Sequence, residues 1–152
     1  DDTDDILRLS LLTTSSFLSH LKKGASIAVD GVCLTVVNFT ENEVFFDVIE
    51  ETYRITTLKD FKKKDLVNVE RAAKFGDAIG GHLLSGHIMQ TVTVASIASS
   101  KHSAIFTFSC SGDILNYLFP KGYIALNGTS LTIASVDRNL STFSVHLIPE
   151  TL

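Results

Sequence analysis

The sequence is poor in cysteine, with Cys33 and Cys110 as its only two, set in unlike surroundings. That excludes a disulfide framework and favours a reducing compartment, so a cytoplasmic location is expected. There is no Cys-x-x-Cys, and neither His82 nor His87 has a carboxylate or thiolate at metal-site spacing, so no metal site is expected. No apolar run approaches the roughly 18 residues of a membrane helix, although 45% of the chain is apolar. Basic charge is also short, with 13 Lys and Arg against 17 Asp and Glu and a net charge of −4, which argues against a nucleic-acid surface. Lys62-Lys63-Lys64 reads as a solvated turn, and no strand face interleaves basic and aromatic residues. The opening Asp1-Asp2-Thr3-Asp4-Asp5 is acidic where a secretory leader would be basic, so no such leader is expected.

What the sequence does have is a repeat. Ile27 to Val36 aligns with Ile124 to Ile133 at an offset of 97, pairing Asp30 with Asn127, Gly31 with Gly128, Cys33 with Ser130 and Thr35 with Thr132. Downstream, Glu51-Thr52 aligns with Glu150-Thr151 at an offset of 99. Upstream, Ile6 to Gly24 and Ala104 to Gly122 are runs of equal length. Such a period exceeds the roughly 20–50 residues of a solenoid repeat and implies two similar domains, with two similar ligand sites.

The repeated units alternate like strands around turn dipeptides. Ile27-Ala28-Val29 and Leu34-Thr35-Val36-Val37 flank Asp30-Gly31, and a further strand is predicted over Val44 to Ile49. The second copy has Leu131-Thr132-Ile133, a turn at Asp137-Arg138-Asn139 and a strand from Phe143 to Ile148. Short helices are predicted over Ser15–Leu21 and Gly112–Leu118, with another helical turn at Arg71–Lys74. The pattern predicts small antiparallel barrels. Copy one has no equivalent of the Ser85–Met89 lead-in, and copy two stops where copy one continues to Arg71, so the chain is expected to lack a leading strand and a tail. Each barrel would then have an open edge.

Cys33 and Ser130 each stand two residues before a threonine, which puts two hydrogen-bonding groups on one strand face in both copies. Neither has a histidine beside it in sequence that would make a nucleophile–base pair. Within Gly80-Gly81-His82-Leu83-Leu84-Ser85-Gly86-His87 the two histidines are five positions apart, on opposite faces if extended. The glycines lack the Lys-Ser/Thr ending of a phosphate loop and read as a linker, which has no need of two histidines. Cys110 and His20 read as structural and His102 as solvated.

Five strings in collinear order, Asp30–Val36, Asn68–Ala72, Gly80–His87, Gly122–Ile133 and His146–Leu152, resemble the riboflavin synthase family of lumazine-binding two-barrel proteins. The resemblance implies an all-β fold of two tandem six-stranded Greek-key barrels with short helices, here incomplete at both ends. The first would span 1–84 without its leading strand and the second 85–152 without its C-terminal part. It implies a transferase that dismutates two molecules of 6,7-dimethyl-8-ribityllumazine by four-carbon transfer. The products are riboflavin and 5-amino-6-ribitylamino-pyrimidinedione, in the last step of riboflavin biosynthesis. No metal or organic cofactor is implied; a homotrimer is, with association with lumazine synthase as a further expectation. A non-catalytic lumazine- or flavin-binding protein of the same fold is the alternative.

The ligand contacts that carry over are, in the first barrel, Cys33, Leu34, Thr35, Asp47, Val48, Ile49, Glu50, Glu51 and Thr52. In the second they are Gly86, His87, Ile88, Lys121, Ser130, Leu131, Thr132, His146, Leu147, Ile148, Pro149, Glu150 and Thr151. His87 is expected to handle protons, its ordinary titration range suiting both acid and base roles near neutrality. Cys33 and Ser130 are the other expected catalytic groups, positioning and polarising the heterocycles. The sequence departs from the family in three ways. The usual Met-Phe-Thr-Gly-Ile-Val opening is absent, Asn127 replaces an aspartate, and the tail with its acidic residue and trimer helix is missing.

Overall fold

The computed structural model describes residues 6–151; the acidic opening at 1–5 and Leu152 lie outside the described residues. Two compact units form. One takes Asp1–Ala78 with Ser85–Gln90, and the other Ile79–Leu84 with Thr91–Leu152. Relative to a division at 84/85, the two halves of the linker are exchanged: Ser85–Gln90 packs with the first unit and Ile79–Leu84 with the second.

The first unit holds β1 (Ile6–Leu12), β2 (Ser26–Val29), β3 (Val32–Phe39), β4 (Glu43–Ile49) and β5 (Val69–Arg71), in the antiparallel order β1-β4-β3-β2-β5. The second holds β6 (Thr93–Ser99), β7 (Ala104–Ser109), β8 (Tyr123–Leu126), β9 (Thr129–Asp137) and β10 (Thr142–Leu147), in the order β6-β7-β10-β9-β8. In each, three hairpin-linked strands are joined by a fourth that returns through a long connection to pair at the far side, which is the Greek-key arrangement. Four strands recur, with β1 to β4 matching β7 to β10 in order and pairing. The fifth differs: β5 lies beside β2, whereas β6 lies beside β7, the counterpart of β1. Six strands per barrel were expected, and each described sheet has five because each lacks the strand that the other has.

The turn chemistry is that of the primed hairpins. Asp30 and Gly31 have φ of 43° and 83°, and Asn127 and Gly128 have 47° and 86°. These left-handed pairs match the twist of the flanking strands, and Asp, Asn and Gly are the residues that adopt them at least cost. A β-bulge recurs as well, skipping Val37 in β3 and Ala134 in β9. It bends both strands at the same place.

Alternation gives each unit a core face. In the first, Ile27, Val29, Leu34, Val36, Val44, Phe46 and Val48 are buried together. In the second, Ile133, Phe143 and Val145 are almost fully enclosed, with Phe108 stacked on Phe143 at 5.3 Å.

The helices depart more from expectation. Helix α1 covers only Ser15–Leu18, capped one residue earlier than the sequence suggests by Thr14, whose Oγ1 accepts from the Phe17 N–H at 3.2 Å. The Gly112–Tyr117 segment is 3-10 rather than α. Arg71 is not helical but ends β5, because its backbone pairs with Ile27. Glu50–Ile55 forms helix α2 directly after β4, where the sequence predicted no helix. Its acidic first turn and Arg54 in the last turn suit the helix dipole.

Candidate lumazine-binding faces

The residues that are not core on the β2–β3 and β8–β9 hairpins make the candidate site. Cross-strand pairing sets Ser26 opposite Thr35 and Ala28 opposite Cys33. It sets Tyr123 opposite Thr132 and Ala125 opposite Ser130 in the second copy. Because Ile27, Val29, Leu34 and Val36 are buried, the alternating set faces outward. The result in each unit is a small, partly polar patch on a rigid two-stranded platform, able to receive a flat heterocycle and offer it hydroxyl or thiol groups.

In the second unit this face runs into a cavity of about 410 Å³ lined by Lys121, Thr132, Ala134, Ser135, Ser144 and His146. Lys121 is held at φ 70° while its N–H donates to the Ile133 carbonyl at 2.8 Å, bringing the start of β8 against the bulged strand. Ser135 and Ser144, paired across β9 and β10, share a hydrogen bond of 2.7 Å. The size falls within the range of small-molecule sites. Lys121, Thr132 and His146 are expected site residues; Ala134 and Ser144 share their strand faces by alternation, and Ser135 is turned to the same face by the bulge at Ala134.

Ser130 is joined by a group that sequence adjacency did not reveal. The His82 Nδ1 lies 2.7 Å from Ser130 Oγ, and its ring stacks on Tyr123 at 3.9 Å with 7° between planes. The absence of a histidine next to Ser130 in sequence is thus overturned in space, across 48 positions.

In the first unit Cys33 is a free, half-buried thiol whose backbone N–H donates to the Gly86 carbonyl at 2.9 Å. Gly86, His87 and Ile88, assigned by resemblance to the second pocket, therefore lie with the first unit, and Ile88 packs against its core. His87 is exposed, its N–H donating to Ser85 Oγ at 3.2 Å. At the place where the second unit pairs Ile105 with His146, the first pairs Arg8 with Asp47. There Arg8 Nε and Nη2 donate to the two Asp47 oxygens at 2.8 and 3.1 Å. That hydrogen bonding, and then the guanidinium charge, holds the Asp47 carboxyl below the usual carboxylate range.

Leu34 and Val48 are buried in the first core, so any ligand contact they make goes through the backbone. Leu131 and Leu147 are partly buried and pack against the second core. Ile49 and Ile148 are exposed. Glu50, Glu51 and Thr52 open α2, and Pro149, Glu150 and Thr151 form a 3-10 turn at the corresponding place. Burial raises the pKa of the Cys110 thiol, which keeps it protonated and inert. Among the described residues, no group of three or more His, Cys, Asp and Glu is placed to hold a metal ion, and no helix is long and apolar enough to cross a membrane.

Similarity to known proteins is likewise found twice along the chain. The lumazine binding domain profile matches residues 2–72 and again 85–152. The chain is 49% identical over 146 residues to the riboflavin synthase of Chlamydia pneumoniae, covering 96% of this chain and 70% of that protein. It is 50% identical over 136 residues to the riboflavin synthase of Escherichia coli K12, covering 89% of this chain and 63% of that protein. The chain thus spans between 63% and 70% of the length of these relatives. In fold it resembles LumP crystallised with riboflavin, with a TM-score of 0.83 at 23% identity, covering 99% of this chain and 80% of that one. On the profile matches to both repeats and on these identities, the chain belongs to the lumazine binding domain family.

Proposed function

We propose that this chain is the two-barrel part of a riboflavin synthase. In this reading it catalyses four-carbon transfer between two molecules of 6,7-dimethyl-8-ribityllumazine, giving riboflavin and 5-amino-6-ribitylamino-pyrimidinedione. The observation that carries the reading is the duplicated outward face, Cys33 with Thr35 and Ser130 with Thr132, in a chain about half identical to riboflavin synthases.

A reaction between two identical molecules suits two copies of one binding face. A protein that holds both substrates replaces a bimolecular encounter by a positioned one, an effect of up to about 7–11 kcal/mol in well-oriented systems. The chemistry needs a proton removed from a ring methyl group and a nucleophile added to the other ring. His87 is assigned to proton handling, its exposed imidazole being free to meet a ligand. Thr35 and Thr132 hydrogen-bond the heterocycles, with Cys33 and Ser130 beside them. Lys121 and His146 supply donors at the rim of the second cavity. A homotrimeric and cytoplasmic protein, and association with lumazine synthase, belong to the same proposal.

The test is to incubate the complete protein with 6,7-dimethyl-8-ribityllumazine and follow riboflavin fluorescence. Conversion is expected, and it is expected to be lost in His87→Ala with the fold intact. Tight binding without product would replace the enzyme by a non-catalytic lumazine carrier.

A further inference from the structure

We propose that His82 is a positioning residue of the second lumazine face, fixing and polarising the Ser130 hydroxyl. The proposal rests on the riboflavin synthase reading of that face. Three independent contacts define the place of His82. Its Nδ1 is 2.7 Å from Ser130 Oγ, a short hydrogen bond. Its ring lies parallel on Tyr123 at 3.9 Å, which fixes the orientation of the imidazole plane. The preceding Gly81 lies so close that a Cβ there would stand 3.1 Å from Ser130 Cβ and 3.3 Å from Ser130 Oγ, so the close approach of the segment uses the absence of a side chain.

A serine hydroxyl has one proton and two lone pairs and rotates freely unless something holds it. With Nδ1 as acceptor, the Ser130 oxygen keeps its lone pairs for the ligand and gains electron density. With Nδ1 as donor, the Ser130 proton is left to point at a ring carbonyl or nitrogen. In both cases the rotor is fixed toward the face that also carries Thr132. The first copy is built differently. At Cys33 it has the Gly86 backbone, and the position matching Tyr123 is Ser26, which offers no ring to stack on. The second face is therefore the one with an oriented hydroxyl, and the divergence of Cys33 from Ser130 acquires a chemical meaning.

The experiment compares His82→Ala, His82→Asn, Ser130→Ala and the double alanine variant in the complete protein, with turnover of 6,7-dimethyl-8-ribityllumazine and its dissociation constant by ligand fluorescence. His82→Ala is expected to lower kcat roughly 10- to 100-fold with little change in KM, as for loss of an orienting contact. His82→Asn, which keeps a hydrogen-bonding group, is expected to regain part of that loss. The double variant is expected to fall no lower than Ser130→Ala, because His82 acts through Ser130. Multiplicative losses, or a raised KM at unchanged kcat, overturn the proposal alone. A wild-type protein that binds without turning over overturns the enzyme reading, and the same coupling is then decided in the dissociation constants. Neither binding nor turnover overturns both.

Discussion

Substituting Gly86 by alanine separates backbone strain from steric exclusion, because the chain supplies its own control. Gly86 has φ +71°, and an added Cβ would stand 2.8 Å from Cys33 Cβ, 2.9 Å from Cys33 N and 3.0 Å from the Gly31 oxygen. Gly24 has φ +83° with nothing within 4 Å, and its N–H is tied to the Val36 carbonyl at 2.8 Å, so its conformation is enforced without crowding. A left-handed L-residue costs roughly 1–2 kcal/mol. Loss of unfolded-state entropy returns about 0.4–1 kcal/mol of that. Gly24→Ala is therefore expected to destabilise by roughly 0–1.6 kcal/mol.

Gly86→Ala carries the same terms and an overlap with backbone atoms that cannot rotate aside. Relief requires Ser85–Gln90 to withdraw, breaking the Cys33 N–H to Gly86 carbonyl bond, worth about 0.5–1.5 kcal/mol. Withdrawal also removes Ile88 from the first core, where it is partly buried and so contributes less than the roughly 1.5–3 kcal/mol of full burial. The expected excess over Gly24→Ala is about 2 kcal/mol. Urea unfolding at constant slope gives the stability difference, and amide hydrogen exchange gives its location. The Cys33 amide should lose protection in Gly86→Ala and keep it in Gly24→Ala. Equal destabilisation of the two variants, or a Cys33 amide still protected in Gly86→Ala, refutes the placement of Gly86 against Cys33.

Other outcomes follow from the same contacts. Cys33→Ser should reduce turnover only mildly, since Ser130 already fills the matching place; a loss of about 100-fold, the scale of an essential acid or base, would refute that equivalence. In Arg8→Ala the Asp47 carboxyl, followed by NMR, should titrate higher than in the wild type, back toward the ordinary carboxylate range. Because its folded pKa is lowered, the pair's stabilisation is present above the unfolded carboxylate pKa and is lost as pH falls through the folded one. An unchanged Asp47 titration would remove the ion pair from solution. Phe143→Ala, at a residue 1% exposed, should destabilise by roughly 3–5 kcal/mol in denaturant unfolding, and a cost below about 1 kcal/mol would contradict its place in the core.

The hairpins at Asp30-Gly31 and Asn127-Gly128 were legible because their interactions are local. The turn dipeptide sets the backbone, and alternation names the buried face. Helix α2 was not legible, since it follows β4 without a break and Ile49 at its cap makes no side-chain bond. The assignment of Arg71 to a helical turn failed because a partner strand outweighed local helix preference. Ser135 reached the cavity wall through a bulge, which sequence periodicity does not record. His82 was seen as unexplained by a linker, but its partners Ser130 and Tyr123 are distant in sequence.

By itself the sequence determined the duplication, the strand pairs that carry it, and the matched residues Cys33, Thr35, Ser130 and Thr132 on their outward faces. Those depend on period and turn chemistry, which act over a few residues. Only the tertiary structure decided that Ser85–Gln90 packs at Cys33, that Ile79–Leu84 packs at Ser130, and that Arg8–Asp47 stands where the other copy has Ile105 and His146. Those contacts join residues far apart in the chain: close approach at Gly81 and Gly86 admits the two linker halves, and strand register sets the Arg8–Asp47 and Ile105–His146 pairs.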